Sequence, residues 1–195
     1  YFLVEGKSVT VNLNGKTISG AYTGDSMLVG VFSTDNGGHL TLTGNGTVEV
    51  TATTTVYSLL VCYSDGSTIT IENGTYTLDK ASDNLIYYGG ATDAAVTIKG
   101  GSFTLGNIDD ANAPWIFNVK GAGDHHVLVT GGTFNFDINR QKWSNEVLVP
   151  ETHYTVANGN GTYTVKEGAA AYVNTGMTTG PYYAPKNIGY ATLEE

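Results

Sequence analysis

The sequence predicts an all-β protein: a right-handed parallel β-helix of about five to six coils, followed by a non-repetitive C-terminal tail. Three observations predict it. The first is a recurring signature of Gly, Thr or Ser, apolar, polar, apolar. It reads Gly46-Thr47-Val48-Glu49-Val50, Gly74-Thr75-Tyr76-Thr77-Leu78, Gly101-Ser102-Phe103-Thr104-Leu105, Gly132-Thr133-Phe134-Asn135-Phe136 and Gly161-Thr162-Tyr163-Thr164-Val165. A looser copy, Asn14-Gly15-Lys16-Thr17-Ile18, precedes these, and the glycines fall 27 to 31 residues apart. A fixed period of that size means stacked units, none able to bury its apolar face alone. The second is strict alternation of apolar and polar residues just before each signature. The third is composition: of 195 residues 26 are Gly and only 14% are charged, with Thr and Tyr frequent. Such a balance disfavours helix surfaces and favours strands and tight corners.

Each repeat resolves into three strands. The first carries Leu40/Leu42, Ile69/Ile71, Val96/Ile98 or Val127/Val129 on one face, and Thr41, Thr70, Thr97 or Leu128 on the other. An Asn-Gly or Gly-Gly corner follows, where glycine supplies a positive φ without steric cost. The signature strand comes next. In register, Val48, Tyr76, Phe103, Phe134 and Tyr163 form one inward ladder, and Val50, Leu78, Leu105, Phe136 and Val165 a second. Thr47, Thr75, Ser102, Thr133 and Thr162 then form a hydroxyl ladder at the corner. After a variable segment, a third apolar run appears at 27–32, 56–63, 85–88, 115–119 and 147–149. A propeller blade would need four strands and a longer period, so the parallel solenoid is the architecture expected over residues 1–166. Residues 167–195 lose the period and are expected to form a capping or docking tail, extended rather than helical.

Val9 to Ile18, Val96 to Phe103 and Val127 to Phe134 resemble the repeats of right-handed parallel β-helices of the pectate-lyase-like superfamily. They are most similar to surface-displayed repeat proteins of gut bacteria and to head-fibre or decoration proteins of phages. The closing Tyr154-Thr155-Val156 and Gly161 to Val165 also resemble the way such repeats end, so the likeness spans roughly residues 8–166. It implies the fold, and an extracellular place on a virion or bacterial surface. It does not select one activity, because one solenoid serves lyases, hydrolases, adhesins and fibres.

Lyases of the superfamily hold Ca²⁺ with several carboxylates beside a Lys or Arg base. Here the outward signature position reads Glu49, Thr77, Thr104, Asn135, Thr164, and no Lys or Arg lies in those five strands. One carboxylate is far from the six to eight oxygens of a Ca²⁺ site. Asp83, Asp93, Asp109, Asp110 and Asp124 lie in variable loops, where acids are normally solvated. His125 and His126 are adjacent, so in an extended strand they point to opposite faces and cannot share a metal. No catalytic residue, metal or cofactor is assigned. The net charge of −9 and the single arginine, Arg140, exclude the basic footprint of a nucleic-acid binder. No run is long enough to span a membrane as a helix.

Cys62 is the only cysteine, which excludes an internal disulfide and fits a small buried hydrophobe. The chain opens at Tyr1 without Met or a signal peptide, as a mature form or an excerpt would. Asn45-Gly46-Thr47, Asn73-Gly74-Thr75 and Asn160-Gly161-Thr162 match the N-glycosylation sequon, but they coincide with the structural signature, which explains them without sugar.

The aromatic residues Tyr57, Tyr63, Tyr87, Tyr88 and Trp115 gather in the third strand of three successive repeats. That strand is apolar on both faces, so its outer face must be covered, by a neighbouring subunit or by the chain's own loops. Exposed, the same rings would form a platform for sugars. These five residues are the candidate ligand or subunit interface. The function expected is that of a non-enzymatic structural or adhesive solenoid, a homo-oligomer with a trimer favoured, contacting surface glycans or virion or envelope proteins. A carbohydrate-binding module and a polysaccharide lyase or hydrolase are the alternatives.

Overall fold

Alternating apolar residues can be buried only if the strands carrying them stack, and the three strands of each repeat do so in parallel. A computed structural model describes residues 1–20, 30–50, 58–64, 66–78, 84–89, 95–106, 117–119, 127–138, 148–168, 171–174 and 187–190. The first sheet contains β1 (Phe2–Glu5), β4 (Gly30–Asp35), β7 (Ser58–Cys62), β10 (Asn84–Tyr88) and β13 (Phe117–Val119) in that spatial order. The second contains β2 (Ser8–Asn12), β5 (His39–Thr43), β8 (Thr68–Ile71), β11 (Ala95–Ile98) and β14 (Val127–Val129). The third contains β3 (Thr17–Gly20), β6 (Thr47–Val50), β9 (Thr75–Leu78), β12 (Ser102–Leu105) and β15 (Thr133–Phe134). The chain visits the sheets cyclically, one strand in each per turn. Every sheet is five parallel rungs deep, so the molecule is a parallel β-solenoid.

Register follows the signature. Val48 lies beside Tyr76, Tyr76 beside Phe103, and Phe103 beside Phe134. Leu40, Ile69, Val96 and Val127 align in the second sheet in the same way. These residues are at most 1% exposed and belong to one continuous core. The rings of Tyr76, Phe103 and Phe134 stack face to face, with centroids 5.0 and 4.7 Å apart. The corners carry the backbone ladder as well. The N–H groups of Thr75, Ser102 and Thr133 donate to the carbonyls of Gly46, Gly74 and Gly101 one rung earlier, each at 2.9 Å.

Tyr76 has its hydroxyl 2.8 Å from the carbonyl oxygen of Asn73, to which it donates. Burial pushes its phenol well above the usual value of 10.0. The folded-state value exceeds the unfolded one, so this stabilisation is complete below about pH 10 and is lost as pH rises beyond it. Stability measured against pH should fall steeply above that point. Tyr76→Phe should flatten that fall, at a cost of about 1 kcal/mol at neutral pH for the lost hydrogen bond. An unchanged alkaline limb in the variant would rule out Tyr76 as its source.

The C-terminal end differs from the sequence expectation. The last signature copy is not a sixth coil. β16 (His153–Ala157) and β17 (Tyr163–Glu167) form an antiparallel hairpin, and β17 runs antiparallel to β15. Tyr163 therefore lies beside Phe134, but in the reversed direction, and Thr164 rather than Thr162 meets Thr133, with the two hydroxyls 3.0 Å apart. Val165 still enters the core at 4% exposure. Reversal stops the parallel stack and covers its last rung, so part of the capping expected of the tail belongs to this hairpin.

Two further corrections concern the ends of the stack. Leu148 is not in a strand; its carbonyl accepts a 2.7 Å hydrogen bond from Val129 N–H and its side chain closes the core. Conversely, β1 is a first-sheet strand in a stretch where no third-strand run had been expected. Beyond the hairpin, β18 (Ala171–Asn174) and β19 (Asn187–Tyr190) pair antiparallel, and β19 lies beside β16.

Candidate functional site

The first sheet holds the third-strand aromatics and is buried on both faces. Phe32, Leu60, Ile86, Tyr88 and Phe117 point into the core. On the opposite face Val31, Leu59, Val61, Leu85 and Tyr87 are no more than 5% exposed, within a single chain. Cover from the chain itself, one of the two alternatives read from the sequence, is what this burial requires. Tyr88 is fully buried and Tyr87 is 3% exposed, so neither presents a ring face to a sugar or to another subunit. Tyr63 is different: it follows β7 at a corner, is 48% exposed and lies against Gly89. Tyr57 and Trp115 lie outside the described residues.

Cys62 lies inward on the first sheet, fully buried, with its thiol 3.4 Å from the carbonyl of Ser67. Burial pushes that thiol above its ordinary value, which keeps it protonated and unreactive.

The second and third sheets face solvent, and there the surface is built of hydroxyls. Thr10, Thr41, Thr70 and Thr97 stand in register on successive rungs of the second sheet. Thr17, Thr47, Thr75, Ser102 and Thr133 do the same on the third. Beside that row runs another, Ser19, Glu49, Thr77 and Thr104. Strand geometry sets the spacing: about 4.8 Å between rungs and about 6.7 Å between alternate residues of one strand. Period two explains why these positions are polar, and β-branched Thr suits a half-exposed pleated surface. The sequence displays these threonines plainly, both as the outward positions of the core alternation and as the hydroxyl ladder expected at the corner, whose register holds from Thr47 to Thr133.

Charge on these faces is sparse. Glu49 is the one carboxylate of its row and accepts a 2.5 Å hydrogen bond from the Ser19 hydroxyl. Lys99 and Glu72 pair at 2.9 Å, both well exposed, where an ion pair contributes little to stability. Asn135 is committed to the backbone: its Oδ1 accepts from Leu105 N–H at 2.9 Å and its Nδ2 donates to Leu105 C=O at 2.8 Å. The side-chain amide thus takes the place of the peptide group that a longer β15 would offer to β12.

Among the described residues no three His, Cys, Asp or Glu side chains converge as a metal site would require. Nor does any described helix have the length and apolarity to cross a membrane. Asp83, Asp93, Asp109, Asp110, Asp124, His125 and His126 lie outside the described residues. No protein-family model, curated protein or solved structure matches the chain. Fold and surface together define the class: a parallel β-solenoid with one sheet buried on both faces and two hydroxyl-faced sheets.

Proposed function

We propose that this solenoid is a non-enzymatic structural and attachment element, displayed outside the cell on a virion or bacterial surface. On this reading it contacts neutral, hydroxyl-rich polymers, with extended polysaccharide as the ligand class. The observation that carries the reading is the pair of hydroxyl rows, one on each solvent-facing sheet. A periodic row offers one donor and one acceptor per rung to a ligand that is itself periodic, so weak contacts add along the axis. Each threonine also carries a methyl beside its hydroxyl, which suits the mixed apolar and polar edge of a pyranose ring. The resemblance to repeat proteins of gut bacterial surfaces and phage fibres supports the setting.

The test is retention of the protein on immobilised neutral polysaccharides. Retention should persist at roughly 1 M salt, where the Debye length is about 3 Å and exposed charge is screened. The triple variant Thr41→Val, Thr70→Val, Thr97→Val keeps strand-compatible shape while removing one hydroxyl row, and it should weaken retention at least tenfold. Equal retention by the variant carrying this triple together with Thr47→Val and Thr75→Val would overturn the reading. So would retention abolished by salt alone.

A further inference from the structure

Three sequons occur in the chain, and the fold does not treat them alike. Asn45 and Asn73 sit at corners between the second and third sheets. Their partner hydroxyls belong to Thr47 and Thr75, which are held in interior rungs by backbone bonds from Thr47 N–H to Lys16 C=O at 2.8 Å and from Thr75 N–H to Gly46 C=O at 2.9 Å. The central glycines are enclosed. A Cβ at Gly46 would collide with the Lys16 carbonyl and the Leu13 side chain, and one at Gly74 would press on Leu13 and the Tyr76 ring. Asn45 and Asn73 are themselves exposed, but the glycine after each is buried and the threonine after that is tied into the ladder, so drawing either whole sequon into a second protein would require peeling rungs from the stack.

The third sequon is elsewhere. Asn160-Gly161-Thr162 forms the tip of the β16–β17 hairpin, outside the parallel ladder. Residues 157–161 are all exposed, and no atom lies within 4 Å of a Cβ built at Gly159 or Gly161. Asn160 Oδ1 accepts from both the N–H and the hydroxyl of Thr162, at 3.1 and 2.6 Å. The hydroxyl two residues on is therefore already engaged with the acceptor amide, and among the described residues Nδ2 carries no hydrogen bond. This tip is not a solenoid corner: Gly161, with φ of 80°, and the Asn160–Thr162 contacts shape an exposed hairpin turn that no neighbouring rung encloses.

We propose that Asn160, and not Asn45 or Asn73, is an N-linked glycosylation acceptor. The co-substrate class is a saccharide carried through its anomeric carbon on a lipid pyrophosphate. Nδ2 of Asn160 attacks that carbon and a C–N bond forms. The anomeric C–O bond breaks, its electron pair leaves with the phosphate, and an Nδ2 proton passes to a carboxylate of the transferase. The product is a bulky solvated group at the hairpin end of the solenoid.

The experiment incubates the purified folded chain with an oligosaccharyltransferase and its lipid-linked donor, with urea-unfolded chain as control. Intact mass and peptide mapping are read. The unfolded control, in which all three sequons are accessible, should be modified at all three. The folded chain should gain one glycan, on Asn160, and lose it in both Asn160→Gln and Thr162→Ala. Circular dichroism of those variants should match the parent, since the hairpin tip lies outside the core. An unmodified folded chain beside a modified control would overturn the proposal, as would equal occupancy of Asn45 and Asn73 in the folded chain.

Discussion

Phe103→Ala should destabilise the protein by about 3–5 kcal/mol, the range for removing a large ring from a packed core. Phe103 is 1% exposed and is the middle member of a three-ring stack, with Tyr76 on one side and Phe134 on the other. Truncation there removes two stacking contacts and leaves a cavity between rungs whose spacing is fixed by backbone hydrogen bonds. The surrounding strands cannot collapse to fill it without breaking those bonds. Phe103→Leu retains most of the buried area and should cost much less. Urea denaturation followed by far-UV circular dichroism gives both values. A Phe103→Ala loss below about 1 kcal/mol would mean that the stack contributes little.

Gly101→Ala should be the second most damaging of these changes, at about 1–3 kcal/mol from backbone strain alone. Gly101 has φ of 105°, and the signature glycines Gly74 and Gly132 have 118° and 103°. Side chains rarely adopt that region, and the built Cβ falls 3.0 Å from the Gly74 carbonyl oxygen and 3.3 Å from the Tyr76 ring. Relief would require moving the corner away from the rung before it, weakening the Ser102 N–H to Gly74 C=O bond that continues the ladder. Gly159→Ala provides the contrast. Its φ is also positive, at 75°, but nothing crowds it, so only the strain should register. Comparable melting temperatures for Gly101→Ala and the parent would sink the corner argument.

Much of the architecture was legible because one signal repeated. Alternation before each signature gave the second sheet, and the apolar positions of the signature gave two inward ladders that the register reproduces from Val48 to Phe134. The reversal at Gly161 was not legible. Its signature is as regular as the others, and direction in space depends on pairing partners that local pattern does not encode. Leu148 was misread for a similar reason: apolar residues in a row look like a strand, but the Leu148 carbonyl and side chain, with Val149 packed part-buried against the core, serve the end of the stack without forming one. At the candidate site, apolarity on both faces of Leu85 to Tyr88 correctly signalled a covered sheet. It could not distinguish cover by the chain from cover by a partner, because both bury the same residues. The hydroxyl rows were written at fixed spacing throughout, yet a threonine on the outer face of a strand is also what β-propensity alone would place there.

The hairpin at the end of the stack has a consequence for the order in which the molecule assembles. Every parallel contact joins residues about one repeat apart, so each rung closes a loop of roughly 30 residues, at an entropic cost of about 3 kcal/mol. The turn between β16 and β17 closes roughly five residues, for about 1.4 kcal/mol. The cheapest closure thus lies at one terminus, and β17 then offers β15 a ready edge. Folding that begins there would advance by nearly equal steps toward β1, a zipper with its starting block built into the chain.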